Sequence, residues 1–208
     1  MPDHLKHMFE PPDWFNVEEA EEDLSFFSEL TPLNLYRVAG SLGAIERLGK
    51  LPNDITSMFE FGSGYGEGLV ALDMLARARG DAKVQGSESG EHPHYIASQI
   101  SRMLLERVTD VSWDGFQSMH EGPESFDVIL AHMFGPSYTS EEVPARFIPA
   151  APGALKAEGV IIISSDEDTM GNVQTWAERN LPAGQAETID DESLPSGFMT
   201  QPHLVITS

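Results

Sequence analysis

The chain has 208 residues, with 34 acidic and 12 basic side chains and no cysteine. This length suits one domain of moderate size, and the missing thiols exclude disulfide scaffolds, thiolate zinc sites and cysteine nucleophiles. No apolar run reaches the roughly 18 residues of a membrane span, and the N-terminus lacks the basic start and apolar stretch of a signal peptide. We therefore expect a soluble, cytoplasmic protein.

The formal net charge of −22 restricts the partners. Proteins bind nucleic acids mainly through lysine and arginine on phosphates, so this chain would be repelled on average. Anionic membrane surfaces are disfavoured for the same reason. The excess of acid indicates either a solvated acidic surface or adaptation to high salt. We predict no nucleic-acid and no membrane partner, and the oligomeric state stays open.

The N-terminal segment, residues 1–50, is predicted to form a helical cap on the rest of the chain. Its first 30 residues carry nine acids but also several aromatic rings, whereas disordered acidic tails are usually poor in aromatic residues. One helix is predicted over 17–30. A second is predicted over 32–48, because a Thr-Pro pair precedes it, a glycine follows it, and apolar residues recur at helical spacing.

Residues 51–208 form the main unit, in which predicted strands alternate with predicted helices. The apolar runs of the strands are continuous, which indicates burial on both faces and hence a parallel sheet covered by helices. We therefore expect an α/β fold. The predicted strands cover 55–61, 83–87, 107–112, 126–132, 159–164 and 202–208, and the predicted helices cover 67–79, 94–106, 141–156 and 172–181.

A glycine-rich turn over 62–68 follows the first predicted strand and precedes a helix. Such a turn lets the backbone approach a ligand closely, and the helix start offers free N–H groups. A phosphate-binding P-loop would need a lysine at the end of the turn, and none stands there. The dinucleotide pattern GxGxxG does not fit either, because its third glycine would fall on Glu67 or Leu69.

Glu60 precedes this turn, and the resulting pattern E-x-G-x-G-x-G resembles the first motif of class I S-adenosylmethionine-dependent methyltransferases. The family's later motifs follow in order, as VQGSES at 84–89, VSWDG at 111–115 and ESFDVILA at 124–131. At 155–162, LKAEGVII is similar to the family's L-K-P-G-G turn into strand five, with Ala and Glu in place of Pro and Gly.

The resemblance covers about residues 55–165. It implies a Rossmann-like, mostly parallel seven-stranded sheet with helices on both faces, closed by a C-terminal hairpin, and S-adenosyl-L-methionine as the cofactor. In the family, the acid after strand two accepts the ribose hydroxyls, which implies this role for Glu88, and Asp114 would take the adenine amino group. The implied cofactor-binding residues are Glu60, Gly62, Ser63, Gly64, Tyr65, Gly66, Glu88, Ser89, Asp114, Gly115, Phe116 and Ala131.

Several of these positions also have simpler interpretations. A carboxylate inside an apolar strand is costly unless it gains partners, which favours Glu60 beside a cationic ligand over an exposed edge position. Asp114 followed by glycine is also an ordinary turn signal, and Tyr65 can lie beside the methionine portion of the cofactor or face solvent. Asp127, by contrast, is expected to be structural, at the entrance of a strand.

Methyl transfer from a sulfonium is an in-line displacement, so alignment and exclusion of water supply much of the rate. Where the acceptor must lose a proton, the candidate base is His132, at the C-terminal end of the fourth strand, where α/β sheets place ligands. A histidine that only packs there is the equal alternative. His92 and His94 lack a defined carboxylate partner for a metal. Metal-dependent relatives carry acids after the fourth strand, whereas this chain has Ala131, His132 and Met133 there. We therefore predict no metal.

The acceptor is expected between the loop after the fourth strand and the N-terminal segment. Rings of that segment either form an aromatic lid over the acceptor or only anchor the segment to the core. The chain is short and has no large insertion after the fifth strand, which favours a small-molecule acceptor over a polymer. The residues predicted to contact the acceptor are Trp14, Phe15, Tyr36, Met133, Phe134 and Tyr138.

Methyl transfer to a small molecule is therefore the predicted function. One alternative is a non-catalytic module of the same fold that binds the cofactor or, through its acidic surface, another protein. A nucleotide-dependent oxidoreductase is a further alternative, which the spacing of the glycines disfavours. The identity of the acceptor and of its attacking atom (O, N, S or C) stays open.

Overall fold

The computed structural model describes residues 11–121, 124–132, 142–165, 167–189 and 203–207. Two helices come first, and strands and helices then alternate. The helices are α1 (Val17–Phe26), α2 (Pro32–Arg47), α3 (Glu67–Ala78), α4 (Glu91–Met103), α5 (Gly115–Glu121), α6 (Glu142–Ala154) and α7 (Glu167–Asn180). The strands are β1 (Ser57–Phe61), β2 (Lys83–Ser87), β3 (Val108–Ser112), β4 (Phe126–His132), β5 (Leu155–Ser164), β6 (Ala186–Ile189) and β7 (His203–Thr207).

The seven strands form one sheet in the order β3-β2-β1-β4-β5-β7-β6. Strands β1 to β5 pair in parallel, and β7 runs antiparallel between β5 and β6. Strand β4 is buried along its whole length, as a continuous apolar run predicts. The mostly parallel, seven-stranded α/β fold and its C-terminal hairpin are therefore confirmed.

Some boundaries differ from the sequence prediction. The short elements α5 and β6 are missing from it, because they carry too few residues for a periodic signal. Helix α1 ends at Phe26, four residues earlier than predicted, since Phe27 is extended. Helix α4 begins at Glu91 and accommodates Pro93 in its first turn, where a missing N–H costs nothing. None of the described helices is long and apolar enough to cross a membrane.

The N-terminal helices share the main hydrophobic core. The apolar stripe of α2, from Leu35 to Ile45, is buried against α3, so core packing accounts for it. The backbone N–H and the hydroxyl of Thr31 donate to Glu67 Oε1 at 3.1 and 3.2 Å. These bonds join the start of α2 to the start of α3. A lid function for residues 1–50 stays a prediction.

Asp127 lies at the entrance of β4 and joins three strands there. Its Oδ2 accepts from the backbone N–H groups of Thr56 and Ser57 at 2.8 and 2.9 Å, and from Lys156 Nζ at 2.9 Å. Burial alone would raise the pKa of Asp127, but these donors outweigh it and lower the pKa below its usual range. The structural role predicted for Asp127 is confirmed.

The opposite edge of the sheet holds the C-terminal ends of β1, β2 and β4. From β1, the chain builds β2 and β3 on one side, and β4 and β5 lie on the other. The switch point of the sheet therefore lies between β1 and β4. Open α/β sheets bind their ligands in the crevice at this place.

Candidate active site

The loop after β1 has a conformation that its glycines permit. Gly62, Gly64 and Gly66 have φ values of 73°, 53° and 110°, in the left-handed region that other residues rarely adopt. Gly66 is the N-terminal cap of α3. The Ser63 N–H donates to the carbonyl of Ser87, at the end of β2, at 2.7 Å. The loop thus lies across the ends of β1 and β2.

Glu88, the first residue after β2, connects this loop to the next one. Its Oε2 accepts from the backbone N–H of Gly64 at 2.8 Å, and its Oε1 accepts from the N–H of Gly90 at 2.7 Å. A carboxylate oxygen can accept two hydrogen bonds, so each oxygen keeps one acceptor site. The half-buried side chain is therefore fixed in place and able to accept two further bonds from a ligand.

A cavity of about 290 Å³ lies beside Glu88. On its wall, the rings of Phe61 and Phe116 meet edge to face, with centroids 5.0 Å apart. Gly115 leaves no room for a side chain, since a Cβ there would lie 2.4 Å from Ser87 Oγ and 2.6 Å from the Phe61 ring. Aromatic rings and carboxylates thus border the same space. The predicted cofactor residues that line this first cavity are Gly62, Glu88, Ser89, Asp114, Gly115 and Phe116.

Asp114 forms the N-terminal cap of α5. Its Oδ1 accepts from the N–H groups of Phe116 and Gln117 at 2.9 and 3.1 Å, so the turn interpretation of Asp114 describes its geometry. The exposed side chain still borders the first cavity. Its Oδ2 has no hydrogen-bond partner within the described part of the chain, which leaves it available to a ligand.

A second cavity, of about 240 Å³, also borders Gly62. Asn34 and Val38 of α2 and Gly68 of α3 contribute to it, and the sequence prediction misses all three. The i, i+4 spacing of Asn34 and Val38 indicates a shared helix face, but not what that face meets. Ala131 is fully buried in the core, so it can meet a ligand only through its backbone. The predicted residues that line the second cavity are Glu60, Gly62, Ser63, Gly64, Tyr65 and His132.

The carboxyl group of Glu60 is buried beside the second cavity. It lies against Gly68, where a Cβ would sit 1.6 Å from Oε1, and its Oε2 has no hydrogen-bond partner among the described residues. Burial raises the pKa of Glu60 to about 8, with contributions from the charges of Glu67 and Glu88 and against the opposing effect of the Ser63 hydroxyl. A bound cation would favour the ionised form.

His132 ends β4, and the neighbouring strand holds its ring. The register pairs His132 with Ser164 of β5, and Ser164 with His203 of β7. His132 Nδ1 and Ser164 Oγ lie 2.5 Å apart, whereas Nε2 has no partner within the described ranges. Burial, with the charges of His203 and Arg37, lowers the pKa of His132 to about 3. His132 is therefore a neutral imidazole whose Nε2 has no partner in the part of the chain that the structure describes.

Of the predicted acceptor residues in the N-terminal segment, Phe15 and Tyr36 lie in the core and Trp14 lies near the far end of α2. Phe15 and Tyr36 are buried and meet edge to face, with ring centroids 5.7 Å apart. Trp14 Nε1 donates to Glu46 Oε2 at 2.9 Å, and Glu46 lies about 18 Å beyond Asn34 along the helix. These positions match the anchoring alternative, and their contact with an acceptor stays a prediction. The predicted acceptor residues Met133, Phe134 and Tyr138 lie outside the described residues.

The two histidines considered for a metal are engaged separately. The His94 ring stacks on Trp113 with centroids 3.6 Å apart, and its Nε2 is 2.9 Å from the carbonyl oxygen of Val111. His92 meets Tyr65 edge to face. In the part of the chain that the structure describes, no group of three His, Asp or Glu side chains could hold a metal ion. The lack of a metal stays a prediction.

No protein-family model matches the chain, and no curated protein matches it by sequence. Solved structures do resemble it. Precorrin-6y C5,15-methyltransferase from Geobacter metallireducens GS-15 has a TM-score of 0.59 at 15% identity, over 89% of this chain and 95% of that chain. SMU.1697c from Streptococcus mutans, named as a methyltransferase and in complex with SAH, has a TM-score of 0.56 at 18% identity, over 79% of this chain and 94% of that chain. A protein from Clostridium thermocellum, named as an rRNA methylase, has a TM-score of 0.57 at 16% identity, over 81% of this chain and 94% of that chain.

At identities of 15 to 18%, these similarities concern the fold. They extend over at least 79% of this chain, and the matched proteins differ in the acceptors that their names state. The fold is thus established independently of the acceptor. The chain has the fold of the class I S-adenosylmethionine-dependent methyltransferases.

Proposed function

We propose that this protein is a methyltransferase that uses S-adenosylmethionine and acts on a small-molecule acceptor. The observation that carries the proposal is a pair of cavities that both border Gly62. One has the anchored carboxylate of Glu88 on its wall, and the other has Glu60 and His132. Their polarity suits the two halves of the cofactor, an adenosine with two ribose hydroxyls and a positively charged methionine portion.

The first cavity is assigned to the adenosine half. Glu88 keeps one acceptor site on each oxygen, which matches the two neighbouring hydroxyls of a ribose. Because backbone N–H groups already hold this carboxylate, binding would cost little additional side-chain entropy. Asp114 Oδ2 can accept from an adenine amino group, and Phe61 and Phe116 offer aromatic surface to the base.

The second cavity is assigned to the methionine half. The unpaired Oε2 of Glu60 is a buried acceptor that a cationic group would satisfy. The charges of Glu67 and Glu88, which act on Glu60, add to the negative potential there. S-adenosylmethionine, when bound, supplies a methyl group on a positively charged sulfur. This chain contributes the acidic surroundings and the backbone of the glycine loop, which together hold and orient that group.

His132 is assigned as the base for acceptors that carry a proton. It is neutral near pH 7, and its Nε2 is unused among the described residues, so it can accept a proton. This assignment requires that Nδ1–H donates to Ser164 Oγ, which leaves the lone pair on Nε2. Because its pKa is low, His132 suits acceptors whose proton becomes acidic as the new bond forms, such as hydroxyl groups.

Two observations support a small acceptor. The second cavity, at about 240 Å³, is smaller than the roughly 300–1,000 Å³ usual for small-molecule sites, so beside the methionine half of the cofactor it has room only for a small acceptor. The net charge of −22 disfavours RNA and DNA, although one similar structure is named as an rRNA methylase. A cytoplasmic location, expected for a chain without cysteine, belongs to the same proposal.

Isothermal titration calorimetry with S-adenosylmethionine and S-adenosylhomocysteine tests the cofactor. We expect both to bind, and Glu88→Gln to weaken binding about 10-fold or more, because hydrogen bonds to a charged group contribute about 1.5–3 kcal/mol. Asp110→Asn, exposed on β3, removes the same charge outside the cavities and should leave affinity unchanged. A wild-type protein that binds neither compound would overturn the proposal.

Turnover separates the enzyme from a non-catalytic module of the same fold. S-adenosylhomocysteine release is followed across a panel of phenols, aliphatic hydroxyl compounds, carboxylates, amines and thiols. Release that depends on one class of acceptor supports the methyltransferase. Tight cofactor binding without release from any class supports the binding module instead.

A further inference from the structure

Arg37, on α2, is a half-buried arginine that pairs with no acidic side chain in the described part of this strongly acidic chain. No carboxylate lies within ion-pair distance of it within residues 11–121, 124–132, 142–165, 167–189 and 203–207. Its Nε is buried and has no hydrogen-bond acceptor among those residues. Burial lowers its pKa, as expected for a charge that nothing compensates. Arg77 and Arg79, by contrast, pair with Glu19 and Glu46.

Arg37 does not itself line the second cavity, but it lies on α2 between two residues that do. Asn34, Arg37 and Val38 lie within about 100° of each other around α2, and Asn34 and Val38 line that cavity together with His132. The positive charge of Arg37 is one of the causes that lower the pKa of His132, so the two groups lie close enough to interact. Arg37 Nε and His132 Nε2, both without a hydrogen-bond partner among the described residues, therefore belong to one region.

Glu60 and Glu67 line the second cavity and suit the cationic half of the cofactor, whereas the unpaired charge of Arg37, on the α2 side, favours an anionic ligand. An acceptor amine in its ammonium form would add a third cation beside Arg37 and the positive sulfur of the cofactor. A carboxylate would compensate both and would offset the smallest of the three causes that lower the pKa of His132, which makes His132 a somewhat stronger base. The cofactor's own carboxylate has other donors, the backbone N–H groups at the N-terminus of α3 that follow Gly66.

We propose that the acceptor is a small carboxylic acid whose carboxylate pairs with Arg37 while its hydroxyl group faces His132. This inference rests on the proposed function. In the transfer, the hydroxyl oxygen forms a bond to the methyl carbon, and the bond from that carbon to sulfur breaks. The electron pair of the broken bond stays on sulfur as a neutral thioether. The hydroxyl proton passes to Nε2 of His132.

The test uses protein saturated with S-adenosylhomocysteine and matched probes. The probes are the three hydroxybenzoate isomers and lactate, each beside its neutral amide. We expect at least one acid to bind about 10 times more tightly than its amide, and the Arg37→Met variant to lose this preference, because a charge-assisted pair accounts for it. Arg47→Met removes the same charge from the exposed end of α2 and should keep the preference.

Three results would overturn the inference. In the first, the acids of the panel do not bind better than their amides. In the second, the preference for the acid survives in Arg37→Met. In the third, Arg37→Met weakens the binding of S-adenosylhomocysteine but not that of 5′-methylthioadenosine. The last result assigns Arg37 to the cofactor's carboxylate. Failure of the wild type to bind S-adenosylhomocysteine contradicts the proposed function and is seen before any acid is added. If Arg37→Met does not fold, Arg37→Gln takes its place.

Discussion

His132 and Ser164 form a 2.5 Å hydrogen bond between Nδ1 and Oγ, across the neighbouring strands β4 and β5. Both side chains are buried at the C-terminal edge of the sheet. Residues in register on paired strands point to the same face, so the strand pairing places the hydroxyl beside the ring. This bond occupies one ring nitrogen and thereby decides which nitrogen can meet a ligand.

The first prediction concerns this pair. His132→Gln is expected to lower kcat about 10²- to 10⁴-fold, the usual contribution of a general base, with S-adenosylhomocysteine affinity unchanged. Ser164→Ala should lower kcat less, because the base remains but loses its orientation. ¹⁵N NMR of the wild type should show a protonated Nδ1 and a bare Nε2. If His132→Gln keeps the wild-type kcat, His132 is only a packed residue.

The second prediction concerns the pH dependence of stability through Glu60. Its pKa is about 8 in the folded protein and 4.5 in the reference state, so the folded state binds the additional proton between these values. The free energy of unfolding should therefore fall as pH rises through this window, by up to about 1.4 kcal/mol per pH unit. Denaturant titrations of wild type and Glu60→Gln at several pH values measure this, and parallel pH curves would contradict it.

Cofactor binding should reverse the protonation of Glu60. A cation beside the carboxyl group favours its ionised form, so the wild type should release about one proton more than Glu60→Gln when S-adenosylmethionine binds near pH 7. Calorimetry in phosphate and in Tris, whose ionisation enthalpies differ, counts the protons. Glu91→Gln, an exposed change on α4, is the control and should behave as the wild type. Equal proton release from all three proteins would leave Glu60 without this role.

The third prediction concerns the close approach of α3 to Glu60. In Gly68→Ala, the added Cβ would meet Glu60 Oε1 at 1.6 Å, so the carboxyl group must move. Overpacking of this kind costs about 1–3 kcal/mol, and cofactor affinity should fall with it. Gly171→Ala in α7 meets no atom within 4 Å and should be neutral or stabilising by up to about 1 kcal/mol. Thermal unfolding and calorimetry compare the two, and equal effects would argue against the contact.

The fourth prediction concerns the strand entrance. Asp127→Asn is expected to lower the free energy of unfolding by about 1.5–3 kcal/mol near pH 7, because it replaces hydrogen bonds to a charged acceptor with bonds to a neutral one. The pKa of Asp127 is lowered in the folded state, so its contribution is present above the unfolded value and is lost as pH falls through the folded value. Asp54→Asn, exposed before β1, is the control. Cofactor affinity should not change, and a loss of affinity would show that the two edges are coupled.

The fold and the cofactor edge could be predicted because their signals are local. A buried parallel strand is a continuous apolar run, and a tight turn after it needs glycines within a few residues. Gly62, Gly64 and Gly66 do adopt the left-handed conformations that such a turn requires. The role of Glu88 follows from the family resemblance and from its distance to the glycine loop, and its carboxylate does border the first cavity.

The environment of the second cavity could not be predicted in the same way. Its α2 residues lie more than 20 positions before the glycine loop, and only the rotation of that helix brings Asn34 and Val38 to the cavity. Ser164 is 32 residues from His132, and the register of β4 and β5 joins them. For Trp14 and Phe15 the sequence left two alternatives open, because aromatic content alone does not say whether a ring packs inward or covers a site.

The sequence by itself determined the order of the elements, the glycine loop and the acid after β2, because neighbouring residues encode these features. Only the tertiary structure decided which groups of the site are protonated and which of their atoms can still bind a ligand. Glu60, His132 and Arg37 owe their altered pKa values chiefly to burial, and burial depends on contacts between distant segments. The net charge of −22 says nothing about these three groups, since local desolvation and not the overall charge sets their state.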